Sequence, residues 1–373
     1  KQWSFDDPPI ALKLASGTTL FIVGVLGIVG NTLVILTILR ILQYRKTLPN
    51  VLIRNLALVD LCAIPFTYTP ALISYFSNGY KGGKVACNVH SFSILFLNYT
   101  SLAIVTFMSV DRYLALAQPF CYEKHLAPDG IWLKVLYVFI FGIAVLMAVL
   151  PMTGIAQNVL HYPGSYCLFT LKSVTNASLA YNSVTFVILV GFILTITLCN
   201  LSVTAVAYKL YCGAQQMRYL QDPGRVKGKV EGREEIALIR LSIVLMVLYL
   251  CCWIPFLIRL MLGLIGRPFS PFLDFLSARA ASLHSILNPW MYAVLRRQYR
   301  EAFTFLIQQT FSVLSCGLLR RPSSTFDEII GAPGSKKDFV VESGSRKSCE
   351  QHAVLMKKEN EHTDLSKREE GES

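Results

Sequence analysis

The sequence predicts an all-α membrane protein, seven spanning helices packed as a bundle and followed by an amphipathic eighth helix. Two observations carry this prediction. The 373-residue chain is 53% hydrophobic and only 16% charged, a balance that soluble domains rarely reach, and the apolar residues gather in runs. Seven runs, near 16–40, 49–76, 85–114, 130–154, 180–208, 236–264 and 270–294, reach the roughly 20 residues that a helix needs to cross a bilayer. Backbone in lipid must satisfy its own hydrogen bonds, which a helix does. Barrel strands would be shorter and would alternate apolar with polar residues, and these runs do not.

Each element follows in order. Residues 1–15 form a short N-terminal region, and span one is expected to direct insertion without a cleavable leader. Arg40, Arg45 and Lys46 follow span one, and Lys209, Arg218, Arg225, Lys227, Lys229 and Arg233 join spans five and six. Arg296, Arg297 and Arg300 follow span seven. Lys and Arg concentrate on the cytosolic side of membrane proteins, so the N-terminus is expected to be extracellular. Cys87 and Cys167 then fall in outside loops, an oxidising compartment, where a disulfide between them is expected. The sequon Asn176-Ala177-Ser178 lies in the same long outside loop, so Asn176 is a candidate glycosylation site. The sequons at Asn98 and Asn200 lie inside spans three and five and are expected to stay unmodified.

Residues 295–312 place Leu295, Tyr299, Ala302, Phe303 and Leu306 at helical spacing above a basic face, as in a helix lying on the membrane surface. Cys316 follows as a candidate palmitoylation site. Residues 313–373 read as a disordered cytoplasmic tail with Ser323, Ser324, Thr325, Ser343, Ser345 and Ser348 open to phosphorylation. The formal net charge is +12, yet the chain beyond position 320 has nine Lys and Arg against eleven Asp and Glu. The cations therefore rim the spans. Attraction to anionic membrane lipid accounts for them, and nucleic acid does not.

Arg279 stands out among the spans. It sits in the otherwise uncharged stretch Phe275–Leu295, ten residues before Pro289, which is about 15 Å along a helix. A charge within a bilayer is costly and usually functional, and a fixed cation suits a lipophilic ligand with one carboxylate. An amine ligand would call for a carboxylate in span three, and none occurs between Val85 and Val105. No paired carboxylates or His/Cys cluster suggest an enzyme. A transporter or channel would call for repeat symmetry or a continuous polar path, and neither is visible.

Short motifs recur one per span: Gly30-Asn31 with Val34, Asn55-Leu56-Ala57-Leu58-Val59-Asp60, Asp111-Arg112-Tyr113, Cys252-Trp253-Ile254-Pro255 and Asn288-Pro289-Trp290-Met291-Tyr292. In this order, over residues 15–310, the chain resembles the rhodopsin-like G-protein-coupled receptors. The resemblance implies a plasma-membrane receptor whose partners are a heterotrimeric G protein, arrestin through the phosphorylated tail, and membrane lipid. It implies that Asp111 neutralises Arg112, beside Tyr113, and that Glu235 reaches Arg112 to hold the inactive state. Pro255 and Pro289 would kink their helices, Trp253 would lie beneath a pocket, and Tyr292 would close the last span. It also implies one candidate cofactor, an allosteric sodium ion gathered by Asp60, Ser101, Ser285 and Asn288, with His284 nearby.

Local features are similar to the prostanoid receptors. They are the loop Tyr162-Pro163-Gly164-Ser165-Tyr166-Cys167-Leu168-Phe169, Arg279 ahead of Pro289-Trp290, a fifth span without proline, and Cys199-Asn200. Asn78-Gly79-Tyr80-Lys81-Gly82-Gly83 and Leu150-Pro151-Met152-Thr153-Gly154 look most like the E-type, cAMP-raising branch. The chain departs from that pattern at Asn288 (usually Asp), Trp253 (usually Ser), Ser165 and Tyr166 (usually Thr and Trp) and the extra Leu168. The resemblance implies a lipid ligand, prostaglandin E2 first, and signalling through the stimulatory G protein. It implies that Arg279 binds the carboxylate, Tyr75 and Ser165 contact the same end, and Ser282 meets a hydroxyl on the chain. The alternative is a rhodopsin-like receptor for another lipid carboxylate.

Overall fold

The computed structural model describes residues 9–40, 47–77, 79–118, 122, 131–173, 175–220, 231–267 and 270–314. Within its helices the side chains of 40, 131–134, 136, 210–220, 231–238, 297–298 and 309–314 lie outside the description. In order, the elements are α1 (Ile10–Arg40), α2 (Leu48–Ala63), a π-helical turn (Ile64–Tyr68), α3 (Thr69–Phe76), α4 (Gly83–Ala117) and α5 (Ile131–Val149). A 3₁₀ turn (Leu150–Thr153), β1 (Asn158–His161) and β2 (Tyr166–Phe169) come next. The chain ends with α6 (Asn176–Leu220), α7 (Glu231–Leu264), α8 (Pro271–Ser282), α9 (His284–Leu295) and α10 (Arg297–Leu314). Residues 304–373 belong to a separate unit, of which the described part is the run of α10 to Leu314.

Among the described residues, five helices are long and apolar enough to cross a membrane: Ile10–Leu39, Leu48–Phe76, Gly83–Ala117, Asn176–Lys209 and Ile239–Leu264. The other two expected spans appear as a shorter apolar helix, Tyr137–Thr153, and as the pair α8 and α9. α4 is the centre. Its most apolar window is 67% buried, against 28–39% in the other four, and it packs on α2, α5, α6 and β2. The others present Leu, Ile, Val and Phe outward, among them Phe21, Val138, Val187 and Leu198. In water such a surface would be a large apolar patch, but in lipid it is the expected face.

The last span divides at Leu283 and carries a proline inside its second half, α9, which runs on through it. Pro289 has no N–H and its ring clashes with the carbonyl four residues earlier, that of Ser285. That carbonyl accepts from Asn31 Nδ2 at 3.2 Å, so α1 takes up the bond that the proline forfeits. Gly30 makes the approach possible, because a Cβ there would lie 2.7 Å from Pro289 Cγ. The π turn in span two is answered the same way, with His90 Nε2 donating to the Thr67 carbonyl at 3.0 Å.

Two sequence expectations need correction. Cys87 lies within α4, not in a loop, and Asn176 is exposed on the first residue of α6. Hydropathy marks where a helix meets lipid, and these helices run on past that level. α4 begins after Gly82, whose φ of +97° turns the chain into it.

Candidate functional site

β1 and β2 pair antiparallel, His161 opposite Tyr166 and Asn158 opposite Phe169. The turn between them needs a left-handed residue, which Gly164 supplies with φ +89°. Cys87 and Cys167 are disulfide-bonded, fastening β2 to α4. His161 Nε2 donates to the Phe169 carbonyl at 3.2 Å and its ring stacks on Tyr166. Burial pushes the His161 imidazole down to about 4, so it stays neutral. The hairpin is thus a fixed lid.

Against this lid lies a cavity whose space free of atoms, including the part open to solvent, is about 1070 Å³. Arg279, Ser282, Ser165, Tyr68, Asn98 and Trp253 are among the residues that line it. Arg279 Nη2 donates to the Tyr75 hydroxyl at 2.8 Å, and Ser165 Oγ donates to the same oxygen at 3.0 Å. Tyr75 therefore spends both acceptor positions and keeps its own proton for a third partner. The guanidinium carbon of Arg279 lies 5.7 Å from the Tyr75 ring centroid and 5.2 Å from that of Phe275, a setting that favours a cation. Among the described residues no carboxylate lies within ion-pair distance of Arg279. Arg279, Tyr75 and Ser165, three residues distant in sequence, meet at one point.

Ser282 lines the cavity, and its hydroxyl donates to the Ala278 carbonyl one turn back, at 3.0 Å, so toward a ligand hydroxyl it acts as an acceptor.

Deeper, Asp60 is 2% exposed and has two donors. Asn288 Nδ2 donates to Oδ2 at 2.9 Å and Ser101 Oγ to Oδ1 at 3.3 Å. The Tyr249 hydroxyl lies 3.3 Å from Asn288 Nδ2 and 3.5 Å from Ser101 Oγ. His284 Nδ1 faces the Ala281 carbonyl at 2.6 Å and must carry the proton there, which makes Nε2, 3.2 Å from Ser101 Oγ, a second acceptor that competes with Asp60 for the one Ser101 hydrogen. Ser285 does not join this group. Its hydroxyl is 2.7 Å from that of Tyr68 and also reaches the Ser282 carbonyl at 3.1 Å. Among the described residues Asn288 Oδ1 is buried without a donor, an orphaned hard oxygen on a residue that bonds Asp60.

Trp253 is buried edge-to-face on Phe256, with its indole 5.8 Å from the His284 ring. Among the described residues, its Nε1 and the Tyr292 hydroxyl have no hydrogen-bond partner. At the far end of α4, Asp111 pairs with Arg112 and accepts from the Tyr122 hydroxyl at 2.8 Å. A second, smaller crevice there includes Pro49, Met108, Arg112, Leu241 and Leu245. Tyr113 is half-buried on the same helix end. The Glu235 side chain and Cys316 lie outside the described residues, as do the serines of the tail.

Two residues escaped the sequence reading. Arg259 and Asp274, 5% and 1% exposed, form an ion pair between α7 and α8. Each alone looks like a polar residue near a helix end, and only the fold shows that they meet.

The chain matches the model of the family "7 transmembrane receptor (rhodopsin family)" over residues 30–292. It is 27% identical to the human (Homo sapiens) prostacyclin receptor, over 76% of this chain and 72% of that protein. It is 25% identical to the human prostaglandin E2 receptor EP4 subtype, over 73% of this chain and 63% of that longer protein. The crystal structure of squid rhodopsin superposes with a TM-score of 0.70 at 24% identity, covering 89% of this chain and 95% of that one. This last likeness shows the fold.

Proposed function

The chain belongs to the rhodopsin family of seven-transmembrane receptors, and from that premise we propose that it is a receptor for a prostanoid, prostaglandin E2 first. The observation that carries the proposal is Arg279, a cation facing a lidded cavity with no carboxylate partner among the described residues. A ligand carboxylate fits the fork of a guanidinium through two parallel hydrogen bonds. The remaining Tyr75 proton supplies a third donor, and Ser165 of the lid holds Tyr75 in place. The apolar lining, including Leu95, Leu189 and Phe256, encloses the lipid chain.

Prostacyclin is the second reading, supported by the 27% identity to the human prostacyclin receptor. Another lipid carboxylate would use the same anchor. The departures at Tyr166 and Trp253 stand in the lining of the cavity, where ligand selectivity is set, whereas Asn288 bonds Asp60 outside that lining.

Signalling follows from position. Trp253 and Pro255 share α7, so a ligand reaching the cavity floor acts on the helix that lines the crevice at Arg112. The ligand must bind the open arrangement more tightly than the closed one. The opened crevice then takes a helix of the G protein, the stimulatory one in this reading, with the N-terminus extracellular and the receptor in the plasma membrane. Glu235 contributes to the closed state, and arrestin binds the phosphorylated tail. An allosteric sodium ion fits Asp60, Ser101 and the free Asn288 Oδ1, whereas Ser285 is turned away.

The test is cAMP and calcium in cells expressing the chain, challenged with prostaglandins E2, D2 and F2α, prostacyclin and thromboxane mimics. Prostaglandin E2 is expected to raise cAMP selectively. Arg279→Ala is expected to lower its potency at least a hundredfold at normal surface expression, because a charge-assisted bidentate pair is lost. Unchanged potency in that variant rejects the anchor.

A further inference from the structure

We propose that Asn98 is a second polar anchor in the cavity, one that hydrogen-bonds a hydroxyl on the body of the lipid acid. The inference rests on the lipid-acid reading of the same cavity and adds a chemical requirement to it. Asn98 lies on α4, eleven residues after Cys87, about 16 Å further along the helix. It stands within a helix that is apolar enough to span a membrane. A carboxamide there is costly unless its groups are bonded.

Only part of that cost is met. One amide hydrogen goes to the Ile94 carbonyl at 2.7 Å. Among the described residues no donor reaches Oδ1, and this oxygen is not among the fully enclosed polar atoms. Asn98 lines the cavity and is half-buried, and its oxygen keeps some accessible surface. The other polar groups of the lining are committed or shielded. Ser282 donates to Ala278, Ser285 is bound to Tyr68, His90 donates to Thr67, and Ser101 serves Asp60. The hydroxyls of Tyr99 and Thr185 are enclosed and present no surface. Asn98 is therefore the polar group within the apolar lining that keeps a free acceptor and a second amide hydrogen.

An acceptor beside a donor matches a hydroxyl, which can donate to Oδ1 and accept from Nδ2 together. A ketone or ether could use only the amide hydrogen and would leave the oxygen bare. The favoured ligand is thus an acid held at Arg279 that also carries a hydroxyl within reach of α4. A site built to bond a hydroxyl discriminates strongly against the analogue without one, because the protein group is then left unpaired.

The experiment is radioligand displacement on membranes bearing the full-length receptor, with prostaglandin E2 and its 11-deoxy and 15-deoxy analogues. In the wild type one deoxy analogue is expected to bind at least tenfold more weakly than the parent. In Asn98→Leu and Asn98→Ala the parent is expected to fall to within about twofold of that analogue, whose own affinity is retained and reports an intact fold. Equal affinities of all three ligands in the wild type overturn the inference whatever the variants do. So does a hydroxyl preference that survives in either variant. If prostaglandin E2 binding does not occur, or does not depend on Arg279, the lipid-acid reading fails first. Arg279-dependent binding without a hydroxyl preference sinks the Asn98 assignment alone.

Discussion

The Tyr75 hydroxyl is the end point of two hydrogen bonds, one from Arg279 and one from Ser165. Its oxygen holds the guanidinium, and its proton is left for a third partner, which in the proposed reading is the ligand carboxylate. Removing the oxygen should therefore weaken an acid without emptying the site. Tyr75→Phe is expected to cost roughly tenfold in affinity for prostaglandin E2 and much less for its methyl ester, since hydrogen bonds to charged groups are worth more than those to neutral ones. Displacement curves for the acid and the ester on the two receptors check this, and equal losses for both would mean that Tyr75 only packs. Arg279 was legible in the sequence because a charge among apolar residues has few harmless explanations. The role of Ser282 came from the resemblance, since spacing gives the helix face but not the rotamer that sends its hydrogen to Ala278. Asn98 went unread for a related reason. Sequence alone does not tell which side of a central helix faces a cavity.

Between elements, the Arg259–Asp274 pair ties α7 to α8, the helix that carries Arg279. Both charges are buried, so their desolvation is offset only while they stay together. Asp274→Ala strands the guanidinium and is expected to destabilise the receptor by about 3–5 kcal/mol. The double variant Arg259→Met, Asp274→Leu removes both charges and is expected to recover most of the loss. Thermal denaturation of the detergent-solubilised proteins distinguishes the two, and a double variant no more stable than the single would show that the pair holds more than its own charges. The pair was not legible because a polar residue near the end of a span usually snorkels to water. The breaks at Ile64–Tyr68 and Leu283 were likewise invisible as breaks, although their prolines were plain. What the sequence does not carry is the donor that comes from another helix, His90 in one case and Asn31 in the other.

Across the whole molecule, the group around Asp60 draws in α2, α4, α7 and α9 at once, through Asp60, Ser101, Tyr249 and Asn288. The run of motifs, one per span, made these helices recognisable before any geometry was known, whereas the place of His284 and the exclusion of Ser285 emerged only from packing. A cation seated on Asp60, Ser101 and Asn288 Oδ1 would favour the arrangement in which these helices converge. An agonist that favours a different arrangement must then lose affinity as sodium rises, and by reciprocity sodium must lose affinity as agonist binds. Replacing choline with sodium at constant ionic strength is accordingly expected to weaken prostaglandin E2 binding about five- to tenfold, within the usual range of coupling energies. Holding ionic strength fixed removes general screening as a cause. Asp60→Asn keeps the size of the side chain and one of its two acceptor oxygens but removes the charge that attracts the ion, so its affinity for the agonist should be the same in both salts. Equal binding by the wild type in sodium and choline would instead mean that the free acceptor of Asn288 is met by water, and that Asp60 joins the four helices through hydrogen bonds alone.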